Sequence, residues 1–199
     1  MAMASSAPQN LHAVFVYGSL LADEVVAVLL NRVPQSSLPS STTCQSLHSL
    51  FLLFSRLDFG LVISQSRFCH RFSIKGRVYP AILPVENKKV TGRVLLGVTD
   101  PELNILDTFE DVEYDRRTVE VSLMDGPEKL QAKTYVWRNS NDTNLYGDWD
   151  FEQWKGVHME NFVKMTMSFV EELELPESMP RVTTYETFFQ QGSDNPPMS

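Results

Sequence analysis

Glu110 stands where a helix should present a hydrophobe. In "DPELNILDTFED", residues 100–111, Asp100 can cap an N-terminus, Pro101 suits the first helical position, and Leu103 and Leu106 begin an apolar stripe. At roughly 100° per residue, Leu103, Leu106 and Glu110 fall within about 60° of one another. A carboxylate on that face either finds partners or has its pKa raised by desolvation. A Glu tuned toward neutrality serves as a general base and then as a general acid. If the helix frays at Thr108, Glu110 leans into solvent instead. Asp107, Asp111 and Glu113 lie off the stripe or beyond it and read as solvated.

A second chemical candidate is "VFVYGSLLADE", residues 14–24. A strand that stops at a glycine turn and runs into a helix N-terminus exposes unpaired backbone N–H groups and the positive end of a helix dipole. That suits a carboxylate or phosphate. Gly18 lets backbone approach a ligand, and Ser19 adds a hydroxyl. Neither GxGxxG nor a P-loop occurs here, and the G-x-S-x-G elbow of a serine nucleophile is missing. In "EDVEYDRRTV", Tyr114 and Arg116 share one face of a strand. Arg116 there either orients a carboxylate or completes a structural ion pair, and the second role is the expectation. His12, His48, His70 and His158 have no metal-ligand spacing, nor do Cys44 and Cys69.

The elements that must position these residues are legible as periodicities. "HAVFVY" reads as a buried strand, and "LADEVVAVLLNRV" as a helix with Asp23 and Glu24 in its first turn. "RFSIKGRVYPAIL" and "KVTGRVLLGV" alternate as strands do. "RRTVEVSLM" and "LQAKTYVWR" form an antiparallel pair around "DGPE". One long helix over about 151–174 carries Trp154, His158, Phe162, Val163, Phe169, Val170 and Leu173 in or near its stripe. The tail from residue 176 loses periodicity and gains Pro, Ser and Gly.

Residues 38–69 do not match their surroundings. They contain three charged residues, Arg56, Asp58 and Arg67, against 39 in the other 167 positions. Ser, Leu and Phe dominate without a clean period, and the apolar run is too short and interrupted for a membrane span. The plain reading is a poorly patterned buried segment; the sharper one is an insertion that the fold does not need.

The chain has 199 residues, enough for one well-packed domain. With 43% hydrophobic and 21% charged residues, it reads as a soluble globular protein. A net charge of −8, and basic runs no longer than Lys88-Lys89 and Arg116-Arg117, argue against a nucleic-acid partner. The N-terminal "MAMASSAPQNLHA" has neither the basic nor the apolar region of a secretory signal. Cytoplasm, with the nucleus as a second compartment, is the expectation, and no membrane partner is expected.

"VFVYGSLL", "IKGRVYPAI", "VTGRVLLGVT", "LDTFEDVEYDRRTVEV", "AKTYVW" and "LYGDWDFEQWKGVHMENF" together resemble the gamma-glutamyl cyclotransferase-like superfamily, closest to its plant avirulence-induced, AIG-type branch. The likeness spans roughly residues 13–170 apart from the anomalous segment. The pairing of Y-G-S-L with D-x-F-E-x-x-x-Y-x-R carries its specificity. The resemblance implies an α+β fold: a small mixed, mostly antiparallel β-barrel with flanking helices and a ligand pocket at one mouth. It implies release of 5-oxoproline from gamma-glutamyl amino acids, amines or related compounds, without metal or cofactor. The substrate loop maps onto Tyr17, Gly18, Ser19, Leu20, Leu21 and Ala22, and the proton acceptor and donor onto Glu110, with Tyr114 and Arg116 supporting. The rival readings are a non-catalytic binding module and an inactive splice product. The domain is expected over 12–175, interrupted at about 38–69. Against the family pattern about 25 to 30 residues there are extra, and both cysteines would go with them.

Overall fold

The second half of the first strand, Val14-Phe15-Val16, is apolar on both faces, which places it inside the molecule rather than at its surface. In the computed structural model, which describes residues 10–34, 61–63, 69–123 and 129–173, this strand is β1, Leu11–Val16. Val14 and Val16 face one core and Phe15 faces a second, joined by Tyr17 just after the strand. The first core lies between sheet and helices, the second among the strands.

A 3-10 turn, Ser19–Leu21, leads into α1, Asp23–Leu30, which ends at Asn31 in the left-handed region (φ 52°). Then come β2 (Leu61–Ile63), β3 (Cys69–Ile74), β4 (Ala81–Pro84) and β5 (Thr91–Thr99). Helix α2 is Asp100–Glu110, followed by β6 (Tyr114–Leu123), β7 (Lys129–Trp137) and β8 (Leu145–Tyr146). The expected single long helix is two: α3, Phe151–Val157, and α4, Met159–Leu173. They part at His158, whose φ of −116° lies well off the ideal helical value although the residue stays in the right-handed region. Gly156, a poor helix former, lies two residues before the break.

The architecture is α+β, with four α-helices among the described residues and two sheets. One sheet runs β1–β5–β2–β6–β7, and β7 returns to β1 through a parallel pairing at Val14↔Lys133. That single register position is the whole of the β7–β1 ladder, so the expected barrel is not established by it. Every other neighbouring pair is antiparallel and shares at least two. Gly92 is needed where β5 crosses β1: a Cβ there would lie 2.2 Å from the Val16 carbonyl oxygen. The second sheet has the order β4–β3–β8.

The segment read as an insertion contributes to this frame. Leu61–Ile63 pairs with β5 on one side and β6 on the other, so β2 joins the two halves of the five-stranded sheet. Cys69 opens β3 and is buried in the second core. It therefore belongs to the fold and would not leave with an insert. The rest of the segment, including Cys44 and His48, lies outside the described residues, as does the tail from residue 176.

Candidate active site

Local backbone chemistry builds the turn after β1. Leu21 N–H donates to the Gly18 carbonyl at 2.9 Å and Ala22 N–H to that of Ser19 at 3.1 Å. The N–H groups of Ser19 and Leu20 precede these bonds and have no partner within the turn. Two guanidinium groups hold the turn from outside: Arg71 donates to the Tyr17 carbonyl at 2.7 Å, and Arg93 donates to the Leu20 carbonyl at 3.1 Å while pairing with Asp23. Gly18 is pressed against the Pro80 ring, where a Cβ would lie 2.9 Å from Cγ. Of the six predicted loop residues, Tyr17, Gly18, Ser19 and Leu20 line a cavity. Leu21 and Ala22 do not, and their N–H groups are consumed by the turn.

Glu110 reaches the same cavity from α2. The helix is fixed at its start by a capping box one residue earlier than expected, since Thr99 rather than Asp100 is the N-cap and Glu102 is its reciprocal partner. Arg32 grips Glu102 in a fork, at 2.5 and 2.7 Å, and also donates to the Gly97 carbonyl. At the other end the helix stays intact through Glu110 and stops at Asp111, whose φ of 59° terminates it. Phe109 packs edge-to-face on Phe162 and Phe169 of α4, with centroids 6.2 and 5.2 Å apart. Glu110 is half-buried. Desolvation by the surrounding protein, reinforced by the negative charge of Asp107, pushes its pKa from 4.5 up to about 8. Hydrogen bonding is not among the influences on it.

The cavity holds about 730 Å³ of space, counting its open mouth, and its wall is rich in aromatic side chains: Phe15, Tyr17, Tyr79, Phe109, Tyr114, Tyr135 and Phe162. Tyr114 is buried, donates from its hydroxyl to the Pro80 carbonyl at 2.8 Å, and stacks edge-on to Trp137. Arg116 does not line the cavity. It pairs with Asp107, consistent with the structural role expected of it.

Asp107, Asp111 and Glu113 are not the solvated acids that the helical wheel suggests. Asp107 accepts from Arg116 and, at 2.8 Å, from the Tyr135 hydroxyl. Asp111 lines the cavity and accepts from the Val112 N–H at 2.6 Å. Glu113 lines it too, paired with Arg77 at 2.8 Å and accepting from the Tyr79 hydroxyl at 3.2 Å. Arg77, Tyr79 and Tyr135 carry no local signal of their own. Their sequence clue is inclusion in "IKGRVYPAI" and "AKTYVW", stretches that carry the family resemblance; Arg77 and Tyr79 lie in the bend between β3 and β4, and Tyr135 in β7. Among the described residues no group of three or more His, Cys, Asp or Glu is placed to hold a metal ion. No helix among them is long and apolar enough to cross a membrane.

A raised carboxyl and a glycine turn line one cavity of an α+β domain, an arrangement suited to a small molecule and to acid–base chemistry. The chain belongs to the family described as "Gamma-glutamyl cyclotransferase, AIG2-like", whose family model matches residues 14–151, from β1 into the start of α3. It is 55% identical over 170 residues to AIG2-like protein D of Arabidopsis thaliana, covering 85% of this chain and 95% of that one. It is 51% identical over 181 residues to AIG2-like protein C of the same plant, covering 91% of each. A solution structure of another Arabidopsis thaliana protein, 38% identical, superposes with a TM-score of 0.54 over 87% of this chain and 90% of that one.

Proposed function

We propose that this chain is a gamma-glutamyl cyclotransferase, releasing 5-oxoproline from a small gamma-glutamyl compound. One observation carries the reading most: a carboxyl pushed up to about 8 shares its cavity with the Gly18–Leu20 backbone. Family membership supports the substrate class.

In this reading, the Ser19 and Leu20 N–H groups receive the substrate's α-carboxylate, and Gly18 leaves room for it. Ionised Glu110 takes a proton from the α-ammonium. The freed amine attacks the γ-carbonyl of the same molecule, forming the C–N bond of a five-membered lactam. As the original γ-amide C–N bond breaks, the Glu110 carboxyl returns its proton to the departing amine nitrogen. The attacking nitrogen sheds a second proton as the lactam forms, and the Glu110 carboxylate regenerated by that return passes it to the freed amine, which leaves as an ammonium, so protons and electrons balance within the substrate and one side chain. Because nucleophile and electrophile belong to one molecule, folding the substrate in the cavity supplies much of the rate by proximity. Substrate filling the cavity would displace water, which competes as nucleophile.

The test is to incubate the full chain with a panel of gamma-glutamyl amino acids, gamma-glutamyl amines and glutathione, and to quantify 5-oxoproline. Release from at least one member, in equal amount to the freed amine, is the expected result. Saturable binding of the panel with no release from any member would favour a binding module.

A further inference from the structure

Asp107 precedes Glu110 by three residues, so the two acids are neighbours on one helical face, about 5–6 Å apart at Cβ. Asp107 is anchored from two other elements. Arg116 of β6 pairs with its Oδ2, and the Tyr135 hydroxyl of β7 donates to its Oδ1 at 2.8 Å. Arg116 and Tyr135 are themselves cross-strand partners in the β6–β7 ladder. Tyr135 also reaches the turn, since its carbonyl accepts the Tyr17 hydroxyl at 2.6 Å. One strand position therefore ties α2 to the residue that opens the Gly18 turn.

We propose that Asp107 is a positioning residue for Glu110, clamped to β6 and β7 by Arg116 and Tyr135, so that this trio sets where the Glu110 carboxyl stands and which charge it faces. Its catalytic consequence rests on the cyclotransferase reading; its physical content does not.

The other groups that face Glu110 do not replace Asp107 in this role. Tyr17, Tyr114 and Tyr135, from β1's end, β6 and β7, are held neutral by burial, which pushes each phenol up, and the charge of Glu110 pushes them further. Arg77, Tyr79 and Glu113 share the cavity wall but engage one another. Asp111 engages the Val112 N–H, and α4 contributes the uncharged Phe162. Asp107 is the negative charge that raises the Glu110 carboxyl, and Arg116 is the positive charge paired with Asp107.

The experiment follows the Glu110 carboxyl by NMR in the full chain labelled with carboxyl-13C glutamate, with Glu110→Gln identifying its resonance. Asp107→Asn keeps an acceptor for the Tyr135 hydroxyl while removing the charge. It should move the Glu110 titration midpoint down by roughly half a unit to one unit. Arg116→Gln removes the paired positive charge and should move the midpoint up. Shifts in opposite directions support the proposal. Shifts in the same direction, or none, in variants that melt like the wild type overturn it. Should Asp107→Asn fail to fold, the upward shift in Arg116→Gln decides alone. The low-pH limb of 5-oxoproline release should follow the same two shifts. A chain that titrates as stated but releases no 5-oxoproline leaves this proposal standing and overturns the reaction.

Discussion

With its pKa pushed up to about 8, Glu110 holds its proton at neutral pH, and about one molecule in ten carries the ionised base at pH 7. Cyclisation needs that ionised form to accept the ammonium proton. The limb of kcat/KM assigned to this group should therefore rise with pH, with a midpoint near 8, in a pH–rate profile of 5-oxoproline release. At Gly18, substitution by Ala forces a methyl to within 2.9 Å of the Pro80 ring and displaces the Ser19 and Leu20 N–H groups. Gly18→Ala should cost about 1–3 kcal/mol of stability in denaturant unfolding and weaken substrate binding, read as a raised KM. Glu110 was legible from one local pattern, because a three-residue and then a four-residue step along a helix needs no tertiary knowledge. Tyr135 was not, because its role depends on a hydrogen bond to Asp107, 28 residues away, and another from Tyr17, 118 residues away.

At the scale of elements, the site is three pieces held in register: the turn after β1, the end of α2, and the β6–β7 ladder. Phe109 links the second of these to α4, through its edge-to-face contacts with Phe162 and Phe169. Phe109→Ala should destabilise the fold by about 3–5 kcal/mol in equilibrium unfolding. Because Glu110 is the next residue, any turnover that survives should fall as well. Strands and helices appeared where periodicity was strong, as in α1, β5 and the β6–β7 pair. Two boundaries escaped it. The α2 cap is Thr99 because its hydroxyl and Glu102 satisfy each other's backbone N–H groups, whereas Asp100 offers a cap oxygen but has Leu103, not a carboxylate, three residues on. The break at His158 interrupts a stripe that remains apolar on both sides, so periodicity runs straight through it.

For the whole molecule, the raised Glu110 carboxyl couples stability to pH. Below about 4.5, its ordinary value, folded and unfolded chains both hold the proton and Glu110 contributes no pH dependence. Between 4.5 and 8 the folded chain keeps a proton that the unfolded chain has lost, so stability falls as pH rises, and above 8 the cost is fully present. Glu110→Gln should therefore melt higher than wild type at pH 8 to 9, by ~2–4 °C for each kcal/mol recovered, and the gap should close towards pH 5. The resemblance of motifs anticipated the family and the α+β class. It did not anticipate that Leu61–Ile63 would sit between β5 and β6, since a three-residue strand has too few alternations to stand out in a Ser, Leu and Phe-rich stretch. The central claim is that one carboxyl shuttles the proton of an intramolecular cyclisation. It is tested most directly by comparing 5-oxoproline release by wild type and Glu110→Gln on the best member of the gamma-glutamyl panel. A loss of about 10²–10⁴-fold in kcat in a variant that remains folded is the predicted result. Turnover by Glu110→Gln at the wild-type rate would contradict it.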